Sequence, residues 1–164
     1  GISTDVIVGF CGETEAQFES TLRLLDTVGY DQVFAAAYSE RPGTPATHLA
    51  ADVPAEDKRR RLNVLLGRQE PIGFDRNRGW IGRTVEVLVD TIVPPRSHDH
   101  DEPTEPGAAI EAETAAGHVA LSGRTRQNKL VHLAGPTDWI GRLVDVRVEH
   151  AGPYSLRGSP RTDG

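Results

Sequence analysis

The sequence predicts an α/β segment followed by an all-β domain. Two observations carry this expectation: a strand–helix–strand pattern within residues 4–38, and a switch to two-residue hydrophobic alternation after Trp80. A third observation, the acidic and Pro-rich stretch 94–117, interrupts the second part and marks an insertion.

Residues 4–10 read as a buried strand, with three β-branched residues running into Gly9-Phe10. Thr14 then stands where a helix N-cap belongs, and Gln17 completes a capping box with it. Phe18, Leu22, Leu25 and Val28 recur at helical spacing, and Gly29 supplies the stop. Val33 to Tyr38 is a second apolar run of strand length. It ends in Ser39-Glu-Arg-Pro-Gly-Thr-Pro45, whose prolines and glycine require a loop. Two strands joined through one helix form the unit of a parallel sheet.

From Pro54 to about Leu66 the chain reads as a charged helix, with Pro54 near its first position and Lys58-Arg-Arg-Arg61 before Leu62, Leu65 and Leu66. Gly67, Pro71 and Gly73 are expected to end or break it, which makes the stretch a connector. Beyond it Val85, Val87 and Val89 alternate with polar residues, as do Val144, Val146 and Val148. His118–Leu121 and Lys129–Leu133 are shorter strand candidates. Short alternating strands this close together predict a small closed barrel. The expected organisation is therefore 1–53 for the α/β part, 54–79 for a helical linker, and 80–160 for the barrel. The insertion 94–117 has little to bury and is expected to be exposed or disordered.

Composition narrows the function. Cys11 is the only cysteine, which excludes an intrachain disulfide and a cluster held by cysteines alone. No apolar run approaches the ~20 residues that span a bilayer, and no signal peptide is present, so a cytoplasmic location without membrane contact is expected. The chain has no Met, and Gly1 leads almost directly into Asp5-Val-Ile-Val-Gly-Phe, which reads as a cut through a longer protein. The net charge of −6 conceals an asymmetry: from Arg124 to Gly164 seven Lys and Arg face four acids. The basic end suits a nucleic-acid partner better than the average does.

The segment Thr4-Asp-Val-Ile-Val-Gly-Phe-Cys-Gly-Glu-Thr-Glu15 concentrates the chemistry. Glycines where a strand meets a helix N-terminus leave backbone amides free and admit a ligand closely. By spacing alone, the segment reads equally well as a tight strand-to-helix turn. Asp5-Val-Ile-Val-Gly-Phe-x-Gly-Glu-Thr-Glu resembles the fifth-strand motif of the radical-SAM methylthiotransferases, and Tyr38-Ser-Glu-Arg-Pro-Gly-Thr-Pro-Ala46 is similar to their sixth-strand ending. Gly123-Arg-Thr-Arg-Gln-Asn-Lys-Leu-Val-His132, Ile140-Gly141 and Ala151-Gly-Pro-Tyr-Ser-Leu-Arg-Gly158 resemble the TRAM domain, a small OB-like RNA-binding β-barrel. Together the matches cover nearly the whole chain outside the insertion.

The resemblance implies the last strand–helix units of a radical-SAM partial TIM-like barrel followed by a TRAM barrel. It also implies an enzyme that binds S-adenosylmethionine and two [4Fe–4S] clusters and thiomethylates C2 of adenosine 37 in tRNA. Arg41-Pro42 resembles the branch acting on N6-dimethylallyladenosine. A branch acting on threonylcarbamoyl-adenosine shares that pair, a ribosomal-protein branch carries acids there, and a stand-alone RNA-binding module is a further alternative. By the same resemblance Ile7, Gly9, Gly12 and Glu13 form part of the S-adenosylmethionine wall. Arg124, Arg126, Asn128 and Lys129 contact the tRNA anticodon stem-loop. Arg124, Arg126 and Lys129 are suited to phosphates, and Asn128 to amide hydrogen bonds. The family's cluster cysteines are absent, so no catalytic residue and no metal ligand is assigned. The chain is expected to depend on N-terminal domains of the same enzyme and to be inactive alone.

Two further features stay outside this pattern. Cys11 stands where the family carries Pro, and a lone thiol ordinarily packs as a small apolar residue. His98-Asp-His-Asp101 has metal-ligand chemistry but reads as a hydrophilic loop without a rigid support. Trp80 and Trp139 each precede Ile-Gly and are expected to pack on the barrel.

Overall fold

The computed structural model describes residues 1–50, 52–94 and 117–161. The insertion with His98 and His100 therefore lies, all but its two end residues, outside the described residues. The chain forms two compact units, Ile2–Gly73 and Phe74–Gly164, and each is described by itself.

In the first unit β1 (Ser3–Val8) and β2 (Gln32–Ala37) pair in parallel, in register from Ser3 opposite Gln32 to Val8 opposite Ala37. The helix α1 (Glu15–Val28) connects them. Its start is the capping box read from the sequence: the Thr14 hydroxyl accepts from the Gln17 amide, and the Gln17 side chain accepts from the Thr14 amide. Gly29 ends it at φ 60°, the left-handed conformation that glycine tolerates, and its N–H donates to Leu25 O at 2.8 Å. Phe18 and Leu25 project from α1 into a core with Val8, Val33 and Leu65. Each such side chain contributes about 1.5–3 kcal/mol by leaving water. The opposite face of the sheet stays open, with Ile7 and Phe34 58% and 54% exposed.

The helix α2 (Ala55–Arg78) departs from the expected break: it runs 24 residues with Pro71 inside it. Proline removes one hydrogen bond and crowds the carbonyl four residues earlier, a cost of about 3 kcal/mol. Anchors on either side of Pro71 offset that cost. Arg61, Leu65, Gln69 and Gly73 are buried in the first unit, and Asn77 is buried in the second. In the first unit Gln69 donates to Tyr30 O at 2.9 Å, and Arg68 binds Asp26 through two hydrogen bonds of 2.8 Å. Tertiary contacts override the local propensity.

In the second unit β3 (Thr84–Ile92), β4 (Val119–Thr125), β5 (Leu130–Gly135), β6 (Leu143–Ala151) and β7 (Ser155–Pro160) close a barrel in the order β3-β4-β5-β7-β6. All neighbours are antiparallel except β5 and β7, which pair in parallel. The alternating valines point inward, where Val87, Val89, Val131 and Val146 are completely buried with Leu121. Trp80 and Trp139 pack against this core, as expected from their place at strand starts. Gly123 and Gly158 let neighbouring strands approach closely: a Cβ at either would overlap a carbonyl, that of Leu88 or of Arg147. No helix among the described residues is long and apolar enough to cross a membrane.

Candidate cofactor turn and nucleic-acid interface

The turn between β1 and α1 holds three of the four residues expected at a cofactor wall. Gly9 and Gly12 have φ of 70° and 77°, a backbone that other residues rarely adopt. Glu13 N donates to Phe10 O at 2.9 Å and closes the turn. Ile7, the fourth residue, lies two positions before Gly9 on the open face of the sheet, beside Ala36 in the register.

The glycine amides, expected to be free, are occupied. Gly9 N–H donates to the Glu13 carboxylate, and Gly12 N–H donates to Asp52 Oδ1 at 2.7 Å. Donors at a helix N-terminus attract anions, and here the chain's own carboxylates fill that role. Glu13 is held in turn by Arg61, whose Nη1 reaches Glu13 Oε2 at 2.8 Å and Glu13 O at 2.9 Å. Arg61 also bonds Glu15 and stacks over the Phe18 ring, with 5.7 Å to the ring centroid. Hydrogen bonds from Arg60 hold the Glu15 carboxyl below its ordinary pKa.

Phe10 meets Tyr38 edge to face at 4.9 Å, and the Lys58 ammonium lies 5.1 Å from the Tyr38 centroid. Burial raises the Tyr38 phenol above its ordinary pKa of 10.0, and the neighbouring Cys11 pushes the same way. Among the described residues no group of three His, Cys, Asp or Glu is placed to hold a metal ion.

A second candidate surface is the β4–β5 turn. Thr125 N–H donates to Lys129 O at 3.0 Å, and Asn128 N–H to Thr125 O at 2.9 Å. Asn128 sits at φ 62°, the single described residue other than glycine with positive φ. The buried Thr125 hydroxyl accepts from the amides of Gln127 and Lys129. Arg124 lies across the turn, its Nη1 donating to Asn128 O at 3.2 Å. Arg126 extends outward with its side chain 78% exposed, touching Glu86 at 2.9 Å. An ion pair this exposed contributes about 0–1 kcal/mol, so the guanidinium is easily transferred to a phosphate.

Arg124, Arg126 and Asn128 thus meet on one turn, while Lys129 departs from them. It is 8% exposed, and its Nζ donates to Asn77 Oδ1 at 2.8 Å. Asn77 was not among the residues expected to matter, nor was Glu86. The signal for Asn77 was its four-residue spacing from Gly73 and Gln69, hidden because those positions are not apolar.

Residues 109–160 match the TRAM domain family. Across 96% of its length the chain is 42% identical to the tRNA-2-methylthio-N(6)-dimethylallyladenosine synthase of Alkalilimnicola ehrlichii. It is 40% identical to the protein of that name from Stutzerimonas stutzeri and 39% identical to that from Sulfurihydrogenibium sp., again over 96% of its length. The chain spans 30%, 32% and 31% of these three relatives. The resemblance to the tRNA methylthiotransferases read from the motifs is borne out, and it extends over both units.

Proposed function

We propose that this chain, similar along nearly its whole length to tRNA-2-methylthio-N(6)-dimethylallyladenosine synthases, serves such an enzyme as a tRNA grip and as one wall of its S-adenosylmethionine site. The observation that carries the reading is the cationic β4–β5 turn on a barrel whose strands β4 to β7 lie within the TRAM family match. Two guanidinium groups and an asparagine on one short turn offer phosphate and base-edge contacts together. The relatives' names specify dimethylallyladenosine, which supports that substrate over the threonylcarbamoyl and ribosomal-protein alternatives. Similarity that includes β1, α1 and β2 argues against a stand-alone RNA-binding module. Work on tRNA suits a cytoplasmic location.

The first unit fits an adenosine-bearing ligand in part. The apolar face with Ile7 and Ala36 is open to a purine, and nothing lies within 4 Å of where a Cβ would stand at Gly12. In this reading β1, α1 and β2 are the last units of a radical-SAM partial barrel, and Ile7 packs beside the adenine. Gly9 and Gly12 shape the turn, and Glu13 fixes it. S-adenosylmethionine would supply the hydrogen abstraction at C2 of adenosine 37. The single Cys11 does not suit a [4Fe–4S] cluster, so both clusters are assigned to parts of the enzyme outside this chain.

The test is complementation. Cells lacking the modification receive the full enzyme containing this chain, intact or with Arg124→Ala and Arg126→Ala. Nucleoside mass spectrometry should detect 2-methylthio-dimethylallyladenosine with the intact enzyme and severalfold less with the variant. No modification by an intact, cluster-loaded enzyme would overturn the reading.

A further inference from the structure

Asn77 joins three segments of the second unit with one side chain. It is 1% exposed, at the end of α2. Its Oδ1 accepts from Lys129 Nζ at 2.8 Å, and its Nδ2 donates to Gly152 O at 2.8 Å and Pro153 O at 3.2 Å. Its backbone carbonyl accepts from Trp80 N–H at 2.9 Å. The side chain therefore reaches the β4–β5 turn and the β6–β7 turn at once. These two turns are neighbours, because Leu130 at the start of β5 pairs with Ser155 at the start of β7.

The chemistry is specific to a carboxamide. One oxygen must face an ammonium and one nitrogen must face carbonyls, and asparagine offers both in a single plane. Aspartate would serve the ammonium but repel the two carbonyls. A buried lysine requires such an oxygen, because an ammonium taken out of water without one is costly. The Lys129 backbone is also fixed, with its amide on Thr125 Oγ1 and its carbonyl accepting from Thr125 N–H. Lys129 is thus held at both ends of its side chain, directly after Asn128 and three residues after Arg126.

We infer that Asn77 is a positioning residue for RNA binding: through Lys129 it sets the conformation of the turn that presents Arg124, Arg126 and Asn128. Lys129 then acts as an internal strut instead of a phosphate ligand. The inference rests on the RNA-binding reading for its consequence, but the positioning itself is measurable without RNA.

Two readouts on the full chain test it, with Asn77→Ala, Lys129→Met and the double variant. Hydrogen exchange should quicken at the amides of Gln127, Asn128 and Lys129 in Asn77→Ala, while β3 and β6 stay protected. Anisotropy with a fluorescein-labelled tRNA anticodon stem-loop should show each single variant binding about fivefold more weakly, because the turn then occupies its binding conformation a smaller fraction of the time. The two single effects should not add in the double variant, as expected for two groups coupled through the Asn77–Lys129 hydrogen bond. The salt dependence of Asn77→Ala should match that of the unaltered chain.

Unchanged exchange at the turn in Asn77→Ala would overturn the positioning role. Binding by Asn77→Ala equal to or tighter than the unaltered chain, with Lys129→Met weaker and its salt slope reduced by about one phosphate, would make Lys129 a direct RNA ligand and overturn the strut. If strand protection also collapses in Asn77→Ala, Lys129→Met decides, since it cuts the same hydrogen bond while keeping the aliphatic stem. If the unaltered chain binds no RNA, the RNA reading fails, and the exchange result still decides the positioning.

Discussion

Arg61 on α2 and Glu13 in the turn between β1 and α1 form a shielded ion pair 2.8 Å long, with the two side chains 7% and 13% exposed. The same Glu13 oxygen accepts the Gly9 N–H, so the conformation of the glycine turn is set from another helix. Glu13 is thereby engaged in holding the turn it belongs to.

Removing the arginine should therefore cost more than a surface ion pair would. Arg61→Ala leaves Glu13 charged and shielded without its guanidinium, and should destabilise the chain by about 3 kcal/mol. Urea denaturation followed by circular dichroism measures it. Arg23→Ala removes an exposed pair with Glu19, whose side chains are 66% and 61% exposed, and should change stability by about 0.5 kcal/mol or less.

Pro71 makes the opposite prediction. The helix passes through it already, so Pro71→Ala restores a hydrogen bond without asking for new backbone geometry. Stability should rise by about 1–3 kcal/mol, read as an increased denaturation midpoint. A decrease in stability would mean that the proline ring itself is required for packing.

The barrel should not tolerate a methyl group where two strands approach most closely. Gly158→Ala drives a Cβ into the Arg147 carbonyl, and Gly123→Ala does the same at Leu88. Each should cost about 3 kcal/mol or more, since backbone cannot move aside as a flexible side chain can. Gly141→Ala has open space around it but a φ of 81°, so its cost should be limited to about 1–2 kcal/mol of backbone strain. Thermal melts of the three variants rank these costs.

Burial lowers the His132 pKa below its ordinary value of 6.5. As pH falls, the unfolded chain therefore takes up this proton before the folded barrel does. The stabilisation from neutral His132 is complete above about pH 6.5 and is lost as pH falls through 6.5 toward the lower folded value. Melting temperatures at pH 7.5 and 5.5 should differ more in the unaltered chain than in His132→Gln.

Much of this architecture was legible because its signals are local. Thr14 with Gln17 and the glycine at position 29 bounded α1, and the alternating valines marked β3 and β6. The continuation of α2 was hidden because Gly67, Pro71 and Gly73 are poor helix formers and its buried positions include the polar Gln69 and Asn77. The strand β7 escaped notice for a related reason: Ser155–Pro160 has Leu156 as its one large apolar residue, and becomes a strand by pairing with β5 and β6.

The same division runs through the candidate sites. A cationic turn can be read from composition, and Arg124, Arg126 and Asn128 do lie together. The inward turn of Lys129 depends on a partner 52 residues away, which no local pattern records. Similarly, the glycine amides looked free because Asp52, which occupies one of them, is 40 residues from Gly12.

Fluorescence anisotropy of a labelled tRNA anticodon stem-loop, titrated with this chain at two salt concentrations, measures the proposed RNA grip most directly. Binding should weaken as salt rises, and replacing Arg124 and Arg126 with Ala should lower the salt slope by about 0.7 for each phosphate that is no longer neutralised. A barrel that is folded by circular dichroism yet binds no stem-loop at low salt would contradict an RNA-gripping role for the β4–β5 turn.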